Sequence, residues 1–151
     1  VECPIATLPV VVYRKVLSGD DLEGAFKHRF RSNHWAGDWA LGIHAITISI
    51  PTPTRSSKLP RVGELVLGGE GGRELGVGQG DVVILPAGTG IGEFAQLGFL
   101  GGGAYPRGQE DYDEFTDQAL CTNCAMRLRA VDLPERDPVF GKDGQLLKLW
   151  S

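Results

Sequence analysis

The sequence predicts an all-β fold in a single domain. Its 151 residues include 22 glycines and 9 prolines, and these residue types end strands and form tight turns. Short runs rich in valine, isoleucine and leucine lie between them, as expected for many short strands. A chain of this length can bury one core without disulfides or a structural metal. We therefore expect one domain over residues 1–151, with a few short flanking helices.

The N-terminal part, residues 8–31, is predicted to form a strand followed by a helix. Residues 10–13 are a β-type run of three valines and a tyrosine. Ser18 or Asp20 can cap a helix that continues towards Arg31.

The next segment, residues 35–50, is aromatic and β-branched and is predicted to be a strand. His44, Ile46, Ile48 and Ile50 occupy alternate positions in it, so they share one face of the strand. Residues 51–60 contain three prolines and are predicted to form a loop or an irregular edge.

Further short strands are predicted at residues 62–67, 75–77, 81–85, 91–97 and 99–105. Their close spacing favours a meander within a sandwich or barrel, with a barrel core over about residues 36–106. Residues 111–151 are predicted to add a covering helix over 111–130, turns from Asp137, and a tail at 146–150 that packs on the barrel.

Charge and composition exclude several classes of partner. The formal net charge of −4 provides no broad basic surface for nucleic acid. No apolar run reaches the roughly 18 residues of a membrane span, and no signal peptide is recognised at the start. The odd count of three cysteines fits a reducing compartment, so we expect a soluble, cytoplasmic protein. Cys121 and Cys124 have the spacing of half a zinc ribbon or a redox motif but lack partners, and are interpreted as thiols on a surface helix.

The segment from Gly80 to Ile91 carries a recognisable motif. Gly80 is followed after five residues by Pro86, and Pro86 is followed after one residue by Gly88. This spacing resembles the second cupin motif. In that motif a histidine occupies the position of Ile91. Small single-domain cupins are also similar to this chain at residues 8–13, 68–72, 103–106 and 137–141. The resemblance implies a single cupin domain, that is, a double-stranded β-helix or jelly-roll barrel.

The resemblance also implies a metal site that this chain lacks. The first cupin motif carries two histidines and a glutamate. Counted from Gly42, the histidine positions fall on Ile48 and Ile50. The glutamate position falls on Thr54 or Arg55, or on Arg61 when counted back from Gly68. Isoleucine cannot coordinate a cation and arginine repels one, so we expect no metal and no other cofactor.

The strand face that carries the ligands in cupins lines the barrel, which would place His44, Ile46, Ile48 and Ile50 inward, with Ile91 across from them. Such an interior is typical of a site for a small, largely apolar ligand. The alternative is that the former cavity has been filled and is now core.

His44 can titrate near neutral pH and is the best candidate for a general acid or base; it could equally be a core or barrel-mouth histidine. Glu93 would face inward if its strand runs straight, or else it is solvated at a strand end. Arg55 or Arg61 could hold an acidic or enolate oxygen, although arginines beside a loop are usually solvated.

Two aromatic residues and one histidine complete the candidate set. Tyr105 could form a pocket wall with one phenolic hydrogen bond, or simply pack. Trp39 has the opposite parity to His44 and would reach the pocket only if a bulge or bend at Gly42 reset the alternation. It is therefore interpreted as a core or surface aromatic. His34 is expected at a turn.

The sequence leaves two candidate functions open. One is a metal-independent lyase, isomerase or cyclase that encloses a small apolar molecule and moves one proton through His44 or Glu93. The other is a non-catalytic cupin that binds a small molecule or supports a dimer. The resemblance implies a homodimer in either case.

Overall fold

The computed structural model describes residues 8–39, 52–53, 62–67, 72–89, 99–100, 102–109 and 130–151. In this part of the chain, short strands dominate and the helices are few. The elements in chain order are β1 Val11–Tyr13, α1 Leu22–Ser32, β2 Trp35–Trp39, β3 Thr52–Pro53, β4 Val62–Leu67, β5 Arg73–Gly78, β6 Val82–Ile84, β7 Phe99–Leu100, β8 Gly103–Pro106 and α2 Gln145–Leu149. The β-rich character predicted from the sequence is confirmed.

The strands pair antiparallel in four two-stranded sheets: β1 with β6, β2 with β8, β3 with β7, and β4 with β5. Only β4 and β5 are neighbours in the chain. The pair β2–β8 encloses the pair β3–β7, which encloses the hairpin β4–β5. The predicted meander is therefore wrong for the described strands, because most of them pair with distant partners. Hydrophobic alternation predicts where a strand lies but carries no information about which strand it joins.

Both faces of the ribbon formed by β1 and β6 are buried. Val11 pairs with Ile84 and Tyr13 with Val82, and their side chains face the larger cluster, here called the helix-side core. Its other buried members are Leu17, Leu22, Phe26, Phe30, Trp35, Ala104, Val139, Leu146 and Trp150. Because alternate residues of a strand point to opposite faces, the remaining ribbon side chains contact a second cluster.

That second cluster, here called the hairpin-side core, joins the ribbon to the hairpin β4–β5. Its buried members are Leu65, Val77, Val83 and Leu85, with Val10, Val12, Leu67 and Leu75 packed around them. The β1–β6 ribbon is thus the layer between the hairpin on one side and α1 with the C-terminal segment on the other.

Helix α1 covers one side of the helix-side core. Leu22, Phe26 and Phe30 are buried at i, i+4 and i+8, which places them on one helix face. The N-cap is Asp21, whose carboxylate accepts a hydrogen bond from Gly24 N at 2.8 Å. The predicted caps Ser18 and Asp20 are wrong, because the helix begins later than the first available capping residue.

The turn before β6 is held by one buried carboxylate. Asp81 Oδ1 accepts a hydrogen bond from Lys15 N at 2.8 Å, and Oδ2 accepts from Gly78 N at 2.9 Å and pairs with Arg14 at 2.7 Å. Burial alone would raise the pKa of Asp81, but these hydrogen bonds and the positive charge of Arg14 outweigh burial and lower it. Gly80 adopts φ +81, and a Cβ there would lie 2.2 Å from the Leu17 carbonyl oxygen. The predicted tight turn at Gly80 is confirmed, although the strand begins at Val82 rather than Asp81.

The C-terminal tail packs as expected but in a different form. Residues 145–149 form helix α2, which the sequence did not predict. Leu146 is fully buried, and Trp150 Nε1 donates a hydrogen bond to the Pro9 carbonyl oxygen at 2.9 Å. The tail therefore closes the helix-side core against the start of the chain.

Four predicted segments differ or cannot be compared. Within the predicted loop 51–60, β3 pairs with β7, and the predicted strand 99–105 is divided into β7 and β8. The predicted strand 91–97 lies outside the described residues, as does the predicted helix 111–130 apart from Ala130. In the described ranges, no helix is long and apolar enough to cross a membrane.

Candidate functional site

The site predicted from the sequence lies almost entirely outside the described residues. Its members outside them are His44, Ile46, Ile48, Ile50, Arg55, Arg61, Ile91 and Glu93. Cys121 and Cys124 are outside them too. The structure therefore describes one predicted site residue, Tyr105, together with the strands and turns that lead towards the others.

Tyr105 lies on β8 directly opposite Ala36 on β2. The neighbouring pair is Trp35 with Pro106, and Trp35 and Ala104 belong to the helix-side core. Because side chains alternate along a strand, Tyr105 is on the face turned away from that core. Only 2% of Tyr105 is exposed, so protein atoms cover its ring. A packing role accounts for this burial, and a role as a ligand-contacting wall stays a prediction.

Strand β2 contains an irregularity next to Tyr105. Ala36 is opposite Tyr105 and Trp39 is opposite Gly103, so the register shifts between Ala36 and Trp39. Three residue steps on β2 match two on β8, which is the signature of a β-bulge. The possible irregularity predicted at Gly42 lies outside the described residues, and the described part of the strand has one between Ala36 and Trp39.

The motif turn after β6 has the geometry that its sequence predicts. Leu85 and Pro86 are buried, and Thr89 donates two hydrogen bonds to the Pro86 carbonyl oxygen, from N at 3.1 Å and from Oγ1 at 2.8 Å. Gly88 adopts φ +85, a conformation that favours glycine. The chain therefore turns sharply at Pro86–Gly88, which ends three residues before Ile91 in the sequence.

Sequence reasoning missed a buried polar cluster formed by Tyr13 and Asp137. The Asp137 carboxylate is 0% exposed. Its Oδ1 accepts hydrogen bonds from Val139 N at 2.8 Å and Phe140 N at 3.0 Å. Its Oδ2 accepts hydrogen bonds from the Tyr13 hydroxyl and from Leu146 N, the latter at 3.3 Å. One carboxylate thus joins β1, the turn after Asp137 and the start of α2.

The chemistry of this cluster is that of a structural support. Burial, followed by the hydrogen bond to Asp137 and its negative charge, raises the pKa of Tyr13 well above its ordinary value. The phenol therefore stays protonated at neutral pH and is a poor nucleophile or base. The carboxylate already accepts four hydrogen bonds, which compensate for the cost of burying its charge. Neither group is positioned to act on a ligand.

The turn from Asp137 to Gly141 is further tied to α1 and β2 through its carbonyl groups. Asn33 Nδ2 donates to the Pro138 oxygen at 2.8 Å, and Trp35 Nε1 donates to the Arg136 oxygen at 2.9 Å. Gly144 lies so close to Asp137 that a Cβ at Gly144 would be 2.0 Å from the Cβ of Asp137. The sequence predicted turns here, but the only available signal was the composition of residues 137–144, which does not identify a distant partner such as Tyr13.

The described residues contain no second candidate for a chemical site. His28 and His34 are exposed, and His34 lies at the turn after α1 with φ +64, as the sequence predicted for a turn residue. No group of three or more histidine, cysteine or acidic side chains in the described ranges could hold a metal ion. Every buried polar side-chain atom in those ranges has a hydrogen-bond partner.

We predict that Tyr13→Phe lowers the free energy of unfolding by about 1–3 kcal/mol, because it leaves the buried Asp137 carboxylate one donor short. The protonated Tyr13 phenol makes its full contribution to stability below about pH 10, where tyrosine is protonated in both the folded and the unfolded chain. Above about pH 10 the unfolded chain loses this proton first, so the contribution falls as the pH rises further. Chemical denaturation of both proteins across this range should show a constant difference below about pH 10 and a shrinking difference above it.

Asp137→Asn serves as the companion variant, since it removes the charge that helps to hold the Tyr13 proton. Its alkaline loss of stability should begin at the same pH, near the pKa of an unfolded tyrosine, but should be smaller than that of the unmodified protein, because the pKa of Tyr13 in the folded state is raised less. A stability difference between the unmodified protein and Tyr13→Phe that stays constant at alkaline pH would contradict this account of the cluster.

Comparison with known proteins places the chain beside a bacterial relative. No protein-family model and no solved structure matches the chain. The uncharacterized protein YjlB of Bacillus subtilis (strain 168) is 30% identical to it over 151 aligned residues, and the alignment covers 94% of this chain and 86% of YjlB. The similarity thus extends over nearly the whole of both proteins, and the chain belongs to the same family as YjlB.

Proposed function

We propose that this protein is a metal-independent cupin that encloses a small, largely apolar molecule in its barrel and acts on it by proton transfer, as a lyase, isomerase or cyclase. The observation that carries the proposal is the presence of Ile48, Ile50 and Ile91 at the three positions where the cupin motifs have histidine. Three branched apolar side chains in place of three imidazoles convert a metal centre into an apolar wall.

The strand pairing supports a jelly-roll barrel. A jelly roll forms when a long antiparallel hairpin is wrapped around an axis, so its strands pair in a nested order. The pairs β2–β8, β3–β7 and β4–β5 are nested in this way around the hairpin that joins Leu67 to Arg73. The sharp turn at Pro86–Gly88 is a second supporting feature, because the second cupin motif requires it.

In this arrangement, the hairpin-side core is one end of the barrel interior. Val83 and Leu85 point into that core from β6, and Tyr105 lies on the face of β8 that is turned away from the helix-side core. The ligand site would occupy the other end of the barrel, walled by Ile46, Ile48, Ile50 and Ile91.

The donor set does not fit a divalent metal, and no step is assigned to one. Alkyl side chains have no lone pair to donate, and an arginine at the glutamate position, whether Arg55 or Arg61, repels a cation. These arginines suit an anionic or enolate oxygen instead, since guanidinium donates hydrogen bonds in a planar fork.

Proton transfer is assigned to His44, with Glu93 as the alternative group. An imidazole in an apolar pocket can accept or return a proton near neutral pH, while the isoleucines hold the substrate and exclude water. We further propose a homodimer located in the cytoplasm, the latter because the odd, unmatched cysteine count suits a reducing compartment.

A non-catalytic cupin is the second candidate, and one observation favours it. The described side chains on the hairpin side of the ribbon are closely packed, with Leu65 and Val77 each 1% exposed and Val83 0% exposed. Tyr105 is similarly covered. If this packing continues through the barrel, the protein has no cavity and its function is binding or dimer formation.

Because the metal ligands are absent, we predict that the purified protein carries no stoichiometric transition metal. A triple variant that combines Ile48→His, Ile50→His and Ile91→His should gain about one zinc per chain. Elemental analysis after dialysis against a chelator measures both proteins. A control with three histidines at the exposed positions Leu133, Phe140 and Leu149 should gain none. About one tightly held metal per unmodified chain would refute the assignment of Ile48, Ile50 and Ile91 to the ligand positions.

The assignment of His44 predicts that His44→Phe keeps the melting temperature and ligand binding but loses turnover by at least about a hundredfold, because a general acid or base contributes roughly 10²- to 10⁴-fold to the rate. His28→Phe, which changes an exposed histidine, is the matched control. Equal turnover by His44→Phe and the unmodified protein would move the role to Glu93. A packed barrel and no turnover by either protein would favour the non-catalytic candidate.

A further inference from the structure

The outer edge of β5, the side turned away from β4, carries backbone groups that a further strand could pair with. Within the described ranges, β5 has β4 as its one partner strand. The Gly78 N–H is directed at Asp81 Oδ2, at 2.9 Å, and the Gly76 carbonyl oxygen accepts a hydrogen bond from Arg14 Nη1 at 2.6 Å. Alternate residues of a strand direct their backbone groups to the same side, so the groups of Glu74, Gly76 and Gly78 define this edge.

This edge is open to solvent. Arg73, Glu74 and Gly76 are exposed, and a Cβ at Gly76 would meet nothing within 4 Å. The strand has six residues, which is an ordinary length for a strand, so it offers a full template for pairing. An exposed strand edge of this kind is a common site of association between chains.

Arg14 lies across the middle of this edge and is held there. It follows β1 directly, and its Nη1 pairs with Asp81 Oδ2 at 2.7 Å as well as with the Gly76 oxygen. Asp81 is buried and its other oxygen accepts a hydrogen bond from Lys15 N, so the carboxylate is a fixed anchor for the guanidinium. A charged side chain over an edge opposes pairing, since an incoming strand would have to displace it from its partners.

We propose that Arg14 is an autoinhibitory contact, which prevents the outer edge of β5 from pairing with β5 of a second copy of this chain. Two copies of one edge can pair antiparallel about a twofold axis. With that axis at Gly76, Glu74 of each copy would lie opposite Gly78 of the other, so no like charges would be opposed. The Gly76 oxygen that Arg14 occupies is at the centre of this pairing.

The test compares Arg14→Ala with the unmodified protein by sedimentation equilibrium at matched concentrations. Removing the guanidinium frees the Gly76 oxygen, so the weight-average mass should rise at least about twofold, as expected for a contact that joins two copies of one edge. The double variant Arg14→Ala/Gly76→Pro should return to the mass of the unmodified protein. Proline lacks the N–H that would pair on the outer edge, and the ladder with β4 does not use that N–H.

Tyr13→Phe is the matched control, since it weakens the fold at a different contact and keeps Arg14, so its mass should equal that of the unmodified protein. Near-ultraviolet circular dichroism checks that each variant is folded. An unchanged mass for folded Arg14→Ala would overturn the proposal. An equal rise in Tyr13→Phe, or a rise that survives Gly76→Pro, would also overturn it, because association would then not depend on the β5 edge. Should Arg14→Ala not fold, Arg14→Met keeps a long side chain and provides the same test with the same outcomes.

Discussion

The β1–β6 ribbon must bury both of its faces, and the rest of the described structure follows from this constraint. Val11, Tyr13, Val82 and Ile84 face the helix-side core, while Val12 and Val83 face the hairpin-side core. A ribbon of two short strands is not stable alone. It therefore depends on α1 and the C-terminal segment on one side and on the hairpin β4–β5 on the other, so the two ends of the chain and its centre form one cooperative unit.

The Tyr13–Asp137 pair fixes the direction in which the C-terminal segment crosses this ribbon. Apolar contacts from Val139, Leu146 and Trp150 supply area but little direction, because the hydrophobic effect is not directional. Hydrogen bonds are directional, and a buried carboxylate is costly unless all of its acceptor positions are used. The single arrangement that gives Asp137 its donors also places α2 on β1.

Local patterns in the sequence predicted most of the described elements, but they did not predict contacts between segments that are far apart in the chain. The strand at 62–67 and the turns at Gly80 and Gly88 follow from residues within a few positions of each other. The nested pairing of β2 with β8, the bulge before Trp39 and the partnership of Tyr13 with Asp137 join segments far apart in the chain, which no short pattern encodes. The N-cap was misplaced for a similar reason, since Ser18, Asp20 and Asp21 are all chemically competent and packing decides among them. Of the predicted site, the described residues include only Tyr105, so its apolar chemistry still rests on the identity of Ile48, Ile50 and Ile91.

The central claim is that these three isoleucines meet across the interior of one barrel. Nuclear Overhauser effects between methyl groups in a sample with labelled isoleucine and valine test it directly, with the register pair Val11 and Ile84 as the internal reference. The account predicts cross-peaks from the Ile91 methyl groups to those of both Ile48 and Ile50. A clear cross-peak for the reference pair with none between Ile91 and either of the other two isoleucines would contradict it.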